Sequence, residues 1–256
     1  MEQFLRTELL IGKDNLKKLQ NAKVTVIGLG AVGSFAVEAL ARAGVGNFLL
    51  IDSDKIQATN INRQLYALHS TLNKAKTDAA KERVLDINPN CKVETVRIFV
   101  NSDNLDEVFK EKPDLVIDAI DSFSPKVRLL EYCVKNNLPV ISSMGAALKT
   151  DPSAIKAADL FKTHHCRLAE RLRGELRKCG IRSGIMCVFS EQPAQMKPVY
   201  PENLPEGTEE FEKNSTKILG SLPTITGIFG LNIANLAIQK IIDSSALPSQ
   251  IFKQLK

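Results

Sequence analysis

A glycine-rich turn that follows an apolar run is the first stretch of the chain that could do chemistry. Residues 24–27 are β-branched, and they lead into Gly28, Gly30, Ala31 and Gly33. Glycines at this spacing allow a tight turn, close approach of the backbone to a phosphate, and close packing of the next helix. Backbone amides at the start of that helix face the anion. The stretch therefore predicts a nucleotide site.

A carboxylate and several cations follow the turn. Asp52 ends the next apolar run, 24 residues after Gly28, where a ribose hydroxyl is held in such sites. The polar residues that come after it are Asp54, Asn60, Arg63, Lys74 and Lys76. Gathered cationic donors suit a triphosphate better than a neutral nicotinamide ring. We therefore expect ATP, and a dinucleotide oxidoreductase is the alternative.

Alternating strands and helices are predicted to position these residues. The predicted strands cover residues 23–28, 47–52, 92–99, 114–118 and 139–144. The predicted helices cover residues 14–20, 33–43, 74–88, 104–110 and 125–137. This alternation predicts an α/β fold with a doubly wound, mostly parallel sheet of the Rossmann type. Beyond residue 145 we expect an irregular C-terminal portion with a basic helix near 168–178, a strand near 186–189 and a terminal helix from about Pro223.

The length and composition suit one large α/β domain or one domain with an appendage. A hydrophobic content of 44% supports a sizeable core. We expect a nucleotide-binding core in 1–145 and a substrate-binding and dimerisation portion in 146–256. Residues 162–182 hold seven Lys and Arg residues against two Glu. Local basic charge of this kind suits a polyanion such as RNA, and a solvated helix face is the alternative. The cations predicted to bind RNA are Arg167, Arg171, Arg173, Arg177 and Lys178.

The cysteines and one apolar segment indicate the cellular compartment in which the protein is expected. Five cysteines form no Cys-x-x-Cys pair, which favours reduced thiols and a cytoplasmic protein. Residues 219–238 approach membrane-span length, but Pro223, Asn232 and Asn235 interrupt them. A buried core helix is therefore the prediction, and membrane contact is the alternative.

The run His164-His165-Cys166 lacks a second ligand pair at zinc spacing, so we predict no zinc site there.

Positions spread along the chain resemble the adenylation site of the ubiquitin-activating-type enzymes. They are Arg6, the Gly28 loop, Asp52, Asn60, Arg63, Lys76 and Asp121. The resemblance covers nearly the whole chain and implies a single adenylating domain over residues 1–256, with ATP and Mg²⁺ as cofactors. The family often has Gly at the position of Ala31, and alanine leaves the loop plausible.

The resemblance implies a role for each matching residue. Asp52 would hold the ribose hydroxyls, while Arg63 and Lys76 would bind the phosphates with Asn60 close by. Asp121, in the run 118–122, would bind magnesium. Arg6 would reach across a homodimer to the partner's site. The residues expected to be catalytic are Arg6, Arg63, Lys76 and Asp121.

The second half of the chain is similar to one branch of this family. Sulfur-carrier adenylyltransferases usually carry two Cys-x-x-Cys pairs for zinc, and this chain has neither. The runs 144–146, 151–152, 158–160, 176–181 and 188–191 are similar to the branch that dehydrates threonylcarbamoyladenosine in tRNA. That resemblance implies that ATP activates the threonyl carboxylate as an acyl-adenylate, and that ring closure then expels AMP.

Other functions stay open at this point. One is adenylation of the C-terminal glycine of a ubiquitin-like sulfur carrier, with a sulfur-transfer protein as a partner. A second is a nucleotide-sensing module without turnover. Cys166, Cys179 or Cys187 could form a thioester in a carrier-transfer reaction, although buried structural cysteine is the commoner state.

Overall fold

The computed structural model describes residues 2–193 and 219–242. Residues 192–216 contain four prolines, at 193, 198, 201 and 205, and most of this segment lies outside the described residues. The strands are β1 Lys23–Ile27, β2 Asn47–Ile51, β3 Lys92–Val96, β4 Leu115–Asp118, β5 Val140–Ser143, β6 Ile155–Asp159 and β7 Met186–Ser190. The helices are α1 Leu5–Ile11, α2 Lys13–Asn21, α3 Gly33–Ala43, α4 Lys76–Ile87, α5 Leu105–Val108, α6 Phe123–Lys135, α7 Arg167–Lys178 and α8 Pro223–Ile242.

The seven strands form one sheet in the order β3-β2-β1-β4-β5-β7-β6. All neighbouring pairs are parallel except β6 and β7, which are antiparallel. The chain moves outward from β1 to β3 and then returns to place β4 on the other side of β1. Such a reversal opens a crevice at the carboxyl ends of the strands, where α/β sheets bind ligands. The predicted doubly wound, mostly parallel fold is confirmed.

Helices cover both faces of the sheet. Val37 of α3, Ala80 of α4 and Phe229 of α8 belong to one cluster of buried side chains. Leu130 of α6 and Leu172 of α7 belong to the cluster on the opposite face. Successive strand residues point to opposite faces, so β1 and β2 contribute to both clusters and are buried on both sides. The carboxyl ends of these strands are therefore held by cores packed on both faces of the sheet.

Helix α8 packs very closely on α3. A Cβ added at Gly230 would lie 2.5 Å from the Val32 carbonyl oxygen and 2.7 Å from Phe35 Cβ. Glycine is required there because any side chain would push the helices apart. Within residues 2–193 and 219–242, α8 is the one helix long and apolar enough to cross a membrane by length and composition, and half of its apolar window is buried in the protein.

Two elements were missed from the sequence. Helix α1 buries none of its residues, so it lacks the apolar stripe that marks a core-facing helix. Strand β6 lies at the sheet edge and buries only Ile155, and its Lys-Ala-Ala run has low strand propensity. The other predicted elements are present, with ends that differ from prediction by three residues or fewer.

Candidate nucleotide-binding and active site

The glycine turn lies between the ends of β1, β2 and β4. Ile27 is in register with Ile51 of β2 and with Asp118 of β4, so the segments that follow the three strands start side by side. Gly28 has φ +92°, and an added Cβ would lie 2.6 Å from the Ala119 carbonyl oxygen. A residue larger than glycine would therefore separate the turn from the loop that follows β4.

The other two glycines have different surroundings. A Cβ at Gly33 would lie 1.9 Å from the Gly28 carbonyl oxygen, so α3 starts in direct contact with the turn. At Gly30 an added Cβ would have one neighbour within 4 Å, the Gln64 side-chain nitrogen at 3.7 Å. The space above Gly30 is thus open, as an approaching phosphate requires.

Asp52 ties the glycine turn to the end of β2. Its Oδ2 accepts a hydrogen bond from the Leu29 amide at 2.7 Å, and its Oδ1 accepts one from the Asp54 amide at 2.9 Å. Lys76 Nζ lies 3.7 Å from Asp52 and 2.7 Å from Asp54. The turn, the ribose carboxylate and the phosphate lysine of the sequence prediction therefore form one network.

The pKa values of the two carboxylates in this network are shifted in opposite directions. Burial raises the pKa of Asp52, and neither the charge of Lys76 nor the two amide donors cancels that effect. Burial acts in the same sense on Asp54, but the hydrogen bond and charge of Lys76 outweigh it and lower the pKa of that group. Asp52 is thus a carboxylate whose charged form lacks full compensation, which suits an acceptor for two ribose hydroxyls.

Replacement of Asp52 by asparagine should weaken ATP binding and change how stability depends on pH. Because the pKa of Asp52 is raised on folding, the folded state binds the proton more tightly, and stability falls as pH rises from the usual carboxyl pKa through the raised value. The variant lacks this titration, so its stability relative to wild type should be higher at neutral pH than under acid conditions, although asparagine has one oxygen for the amides of Leu29 and Asp54. Loss of charged hydrogen bonds should weaken ATP binding about 10- to 100-fold. Urea titration at several pH values and ATP titration check both effects.

Arg63 lies across the crevice from β4. Its Nη1 donates hydrogen bonds to the Thr59 carbonyl oxygen and to Asn62 Oδ1, both at 2.8 Å. Burial lowers the pKa of Arg63, and the negative charge of Asp121 partly offsets that effect. The fold therefore brings the arginine that follows β2 within electrostatic reach of the aspartate that follows β4. These residues are 58 positions apart in the chain.

Asn60 shapes the turn that carries Arg63. Its side-chain oxygen accepts a hydrogen bond from the Gln57 amide at 3.1 Å. Its carbonyl oxygen accepts bonds from the amides of Arg63 and Gln64. Asn60 is buried, so the contacts that the structure gives it support the loop itself.

A fully buried ion pair holds the loop that presents Asp121. Lys126 Nζ lies 2.7 Å from Asp118 Oδ2 and donates to the Ile120 carbonyl oxygen at 2.9 Å. Ser142 Oγ donates to the same carboxylate at 2.7 Å, and both charged side chains have no exposure. Asp121 follows as an exposed residue. Sequence reasoning missed Lys126, although an aspartate at the end of the apolar run 115–117 signals that a buried partner is needed.

The donor set around Asp121 fits magnesium bound mainly by a nucleotide. Mg²⁺ in phosphate-transfer sites commonly uses one or two carboxylates together with substrate phosphates and water. Asp121 supplies one exposed carboxylate, and Ser122 Oγ lies 3.4 Å from it. Within residues 2–193 and 219–242, no cluster of three or more His, Cys, Asp or Glu side chains could hold an ion without such phosphates.

Helix α1, which carries Arg6, begins near the amino ends of the strands, opposite the end that carries the glycine turn. Phe4, just before α1, approaches Gly44, which follows the end of α3 farthest from the glycine turn. Arg6 is exposed, and the position of Phe4 places the start of α1 away from the glycine turn of its own chain. Leu5, Leu9 and Leu10 on the same helix are also exposed, by 53%, 78% and 68%. Helix α1 thus presents apolar and cationic side chains to its surroundings.

The cations of α7 differ in their surroundings. Arg167, Arg171, Arg177 and Lys178 are exposed. Lys178 pairs with Glu175 at 2.8 Å. Arg173 is half-buried, and its Nη1 donates to Thr163 Oγ1. Arg173 therefore supports the segment that precedes the helix as well as adding charge.

The described thiols are poorly suited to nucleophilic attack. Burial raises the pKa of Cys187 to about 12. Burial, followed by the hydrogen bond and charge of Glu131, also raises the pKa of Cys179. Cys166 is buried. Since the thiolate is the nucleophile, these surroundings do not favour a thioester.

His164 has protein partners of its own. Its Nε2 lies 2.9 Å from Glu191 Oε1, and its ring packs edge-on against Phe189 with centroids 5.6 Å apart. His165 has a left-handed backbone, with φ 54°. The pair thus connects the segment before α7 with the end of β7.

Comparisons with known proteins agree over nearly the whole chain. The ThiF family model matches residues 4–255. A tRNA threonylcarbamoyladenosine dehydratase of Bacillus subtilis is 47% identical over 192 residues, which cover 75% of this chain and 76% of the relative. The crystal structure of the Escherichia coli tRNA N6-threonylcarbamoyladenosine dehydratase in complex with ATP has a TM-score of 0.84 and 35% identity, and covers 96% of both chains. A molybdopterin-synthase adenylyltransferase of Haemophilus influenzae is 33% identical, but covers 54% of this chain and 56% of the relative.

Proposed function

The chain belongs to the ThiF family, and on that premise we propose that it is an ATP-dependent dehydratase acting on threonylcarbamoyladenosine in tRNA. The observation that carries this proposal is the extent of the structural likeness. The ATP-bound dehydratase from E. coli matches 96% of the chain, including the portion beyond residue 145 that should select the substrate. The carrier adenylyltransferase matches about half of it. Sulfur-carrier activation is therefore the weaker alternative.

The reaction proceeds in two transfers. An oxygen of the threonyl carboxylate attacks the α-phosphorus of ATP, and pyrophosphate leaves. The internal nucleophile of the carbamoyl group then loses its proton and attacks the acyl carbon, and AMP leaves with the former carboxylate oxygen. AMP is a far better leaving group than hydroxide, and the nucleophile is already tethered near the carbonyl carbon. No protein nucleophile is needed, which agrees with the raised pKa of Cys179 and Cys187.

The crevice at the ends of β1, β2 and β4 is the proposed ATP site. The ribose hydroxyls bind Asp52, and the phosphates lie over the amides of 28–33, including that of Ala31. Arg63 and Lys76 contact the phosphates, and Asp54 orients Lys76 through their 2.7 Å ion pair. Asn60 supports the turn that carries Arg63, because its carbonyl oxygen accepts a hydrogen bond from the Arg63 amide.

Asp121 is the residue proposed to hold Mg²⁺ with the triphosphate. Bound there, the ion would offset negative charge on the phosphoryl oxygens. Arg63 lies within electrostatic reach of the same carboxylate and adds a fixed positive charge on the other side of the crevice. Charge that develops during attack at phosphorus is thus met by groups already in place.

The proposed active form is a homodimer in the cytoplasm. Phe4, two residues before Arg6, lies at the end of α3 farthest from the glycine turn, which supports a role for Arg6 at the partner's site. The exposed leucines of α1 form an apolar surface that a second copy would cover. Residues 1–145 then supply the nucleotide core, and 146–256 supply substrate binding and dimer contacts. A sulfur-transfer protein is a further proposed partner.

The test measures AMP formed from labelled ATP with magnesium and tRNA. We expect AMP from tRNA that carries threonylcarbamoyladenosine, together with loss of one water from the modified nucleoside by mass spectrometry. The matched control is the same tRNA without the modification, which should give none. AMP formation only with a ubiquitin-like carrier protein would instead assign the alternative function.

A further inference from the structure

A guanidinium group is fixed beside the Asp121 loop by an aromatic ring. Arg171 Cζ lies 4.0 Å from the centroid of the Phe123 ring. Phe123 is the first residue of α6 and comes two residues after Asp121. Guanidinium groups stack on aromatic rings at this distance, and the planar group is then oriented as well as held. A cation is therefore placed beside the reaction crevice by packing.

The donors of this guanidinium have no protein partner among residues 2–193 and 219–242. Arg173, two residues later, donates to Thr163, and Arg63 donates to the Thr59 carbonyl oxygen. Arg171 is exposed and makes neither a hydrogen bond nor an ion pair in that part of the chain. An oriented, exposed guanidinium offers a planar set of N–H donors that matches a phosphate.

The two ends of α7 lie at opposite ends of the strands. The helix starts near the carboxyl ends of the strands and finishes near their amino ends. Leu168, near its start, lies 4.0 Å from a Cβ built on Gly145, which follows the carboxyl end of β5. Arg177, near its end, lies over Phe161 with Cζ 5.6 Å from the ring centroid. The amide of Leu160, the residue before Phe161, donates a hydrogen bond to the carbonyl oxygen of Ile185, just before the amino end of β7. Only the first half of the basic helix therefore faces the crevice.

We propose that Arg171, held on Phe123, binds a backbone phosphate of the tRNA strand that carries the reacting nucleotide. This inference rests on the proposed function, and it narrows the five cations predicted to bind RNA to Arg167 and Arg171, which leaves Arg177 on the solvated face of the helix. Arg167 lies one turn earlier and adds positive charge on the same side. The substrate strand must pass over the crevice for its carboxylate to reach ATP, and a phosphate contact there fixes its register.

The chain offers a matched pair of variants. Arg171→Gln and Arg177→Gln each remove one charge and one ring contact from the same helix. Binding of modified tRNA is measured by anisotropy at several salt concentrations in the presence of a non-hydrolysable ATP analogue. Arg171→Gln should weaken binding about 10-fold and lower the magnitude of the salt slope by about 1. Arg177→Gln should stay within about 2-fold of wild type.

Further readouts separate this proposal from a folding defect and from failure of the proposed function. ATP affinity and the melting temperature should match wild type in both variants, and Arg171→Lys should restore part of the tRNA affinity. Equal losses for the Arg171 and Arg177 variants, or no loss for either, would overturn the proposal. The binding measurement needs no turnover, so absence of AMP from wild-type protein would reject the proposed function while leaving this comparison interpretable.

Discussion

Replacement of Asp121 by asparagine is expected to reduce AMP formation about 100- to 1,000-fold while the ATP site remains formed. The substitution removes the one carboxylate proposed to hold magnesium on the triphosphate, and it leaves Arg63 without the negative charge that acts on it. Asp121 is exposed, so no buried contact is lost. The measurement is single-turnover AMP formation with saturating modified tRNA, repeated over a series of magnesium concentrations.

Asp86→Asn is the control for loss of one exposed carboxylate. Asp86 is exposed and lies in the last turn of α4, at the end of that helix away from Lys76. Its rate and magnesium dependence should equal those of wild type. The assignment of Asp121 would be wrong if its variant kept most of the wild-type rate, or if both variants lost activity equally.

Replacement of Lys126 by methionine is expected to lower the free energy of unfolding by about 3–5 kcal/mol. Methionine fills a similar volume, but it leaves the carboxylate of Asp118 buried without a counter-charge. It also removes the donor to the Ile120 carbonyl oxygen. Urea unfolding followed by circular dichroism measures the loss.

Two companion variants test the reason for that loss. Asp118→Asn combined with Lys126→Met removes both charges, so much of the stability should return while AMP formation stays low because the Asp121 loop lacks its support. Lys135→Met removes an exposed ion pair with Glu131 on the same helix and should leave the urea midpoint nearly unchanged. A midpoint for Lys126→Met equal to that of Lys135→Met would contradict the buried-pair argument.

The fold could be predicted largely because its signals are local. The apolar strand, glycine turn and helix over 23–43 can be read from neighbouring residues, and alternation of such units predicts a parallel sheet. Strand β6 could not be found this way, since an edge strand with one buried residue lacks a burial pattern.

Some residues of the site could likewise be predicted from the nearby sequence, and others depend on contacts between distant segments. Asp52 and Lys76 follow recognisable elements, so their positions were predictable. The approach of Arg63 to Asp121 depends on β4 inserting beside β1, and a register between distant strands is not encoded in nearby spacing. Lys126 was missed because a lysine in the first turns of a helix normally points to water, and only the folded sheet reveals the carboxylate beneath it.

The close contact of α8 with α3 sets a limit on what this protein can do at a lipid surface. Gly230 lies against the Val32 carbonyl group and Phe35, at the start of the helix that carries the glycine turn. If α8 left this position for a bilayer, the first turn of α3 would lose these contacts. Movement of α8 into lipid would therefore be expected to weaken the proposed ATP site.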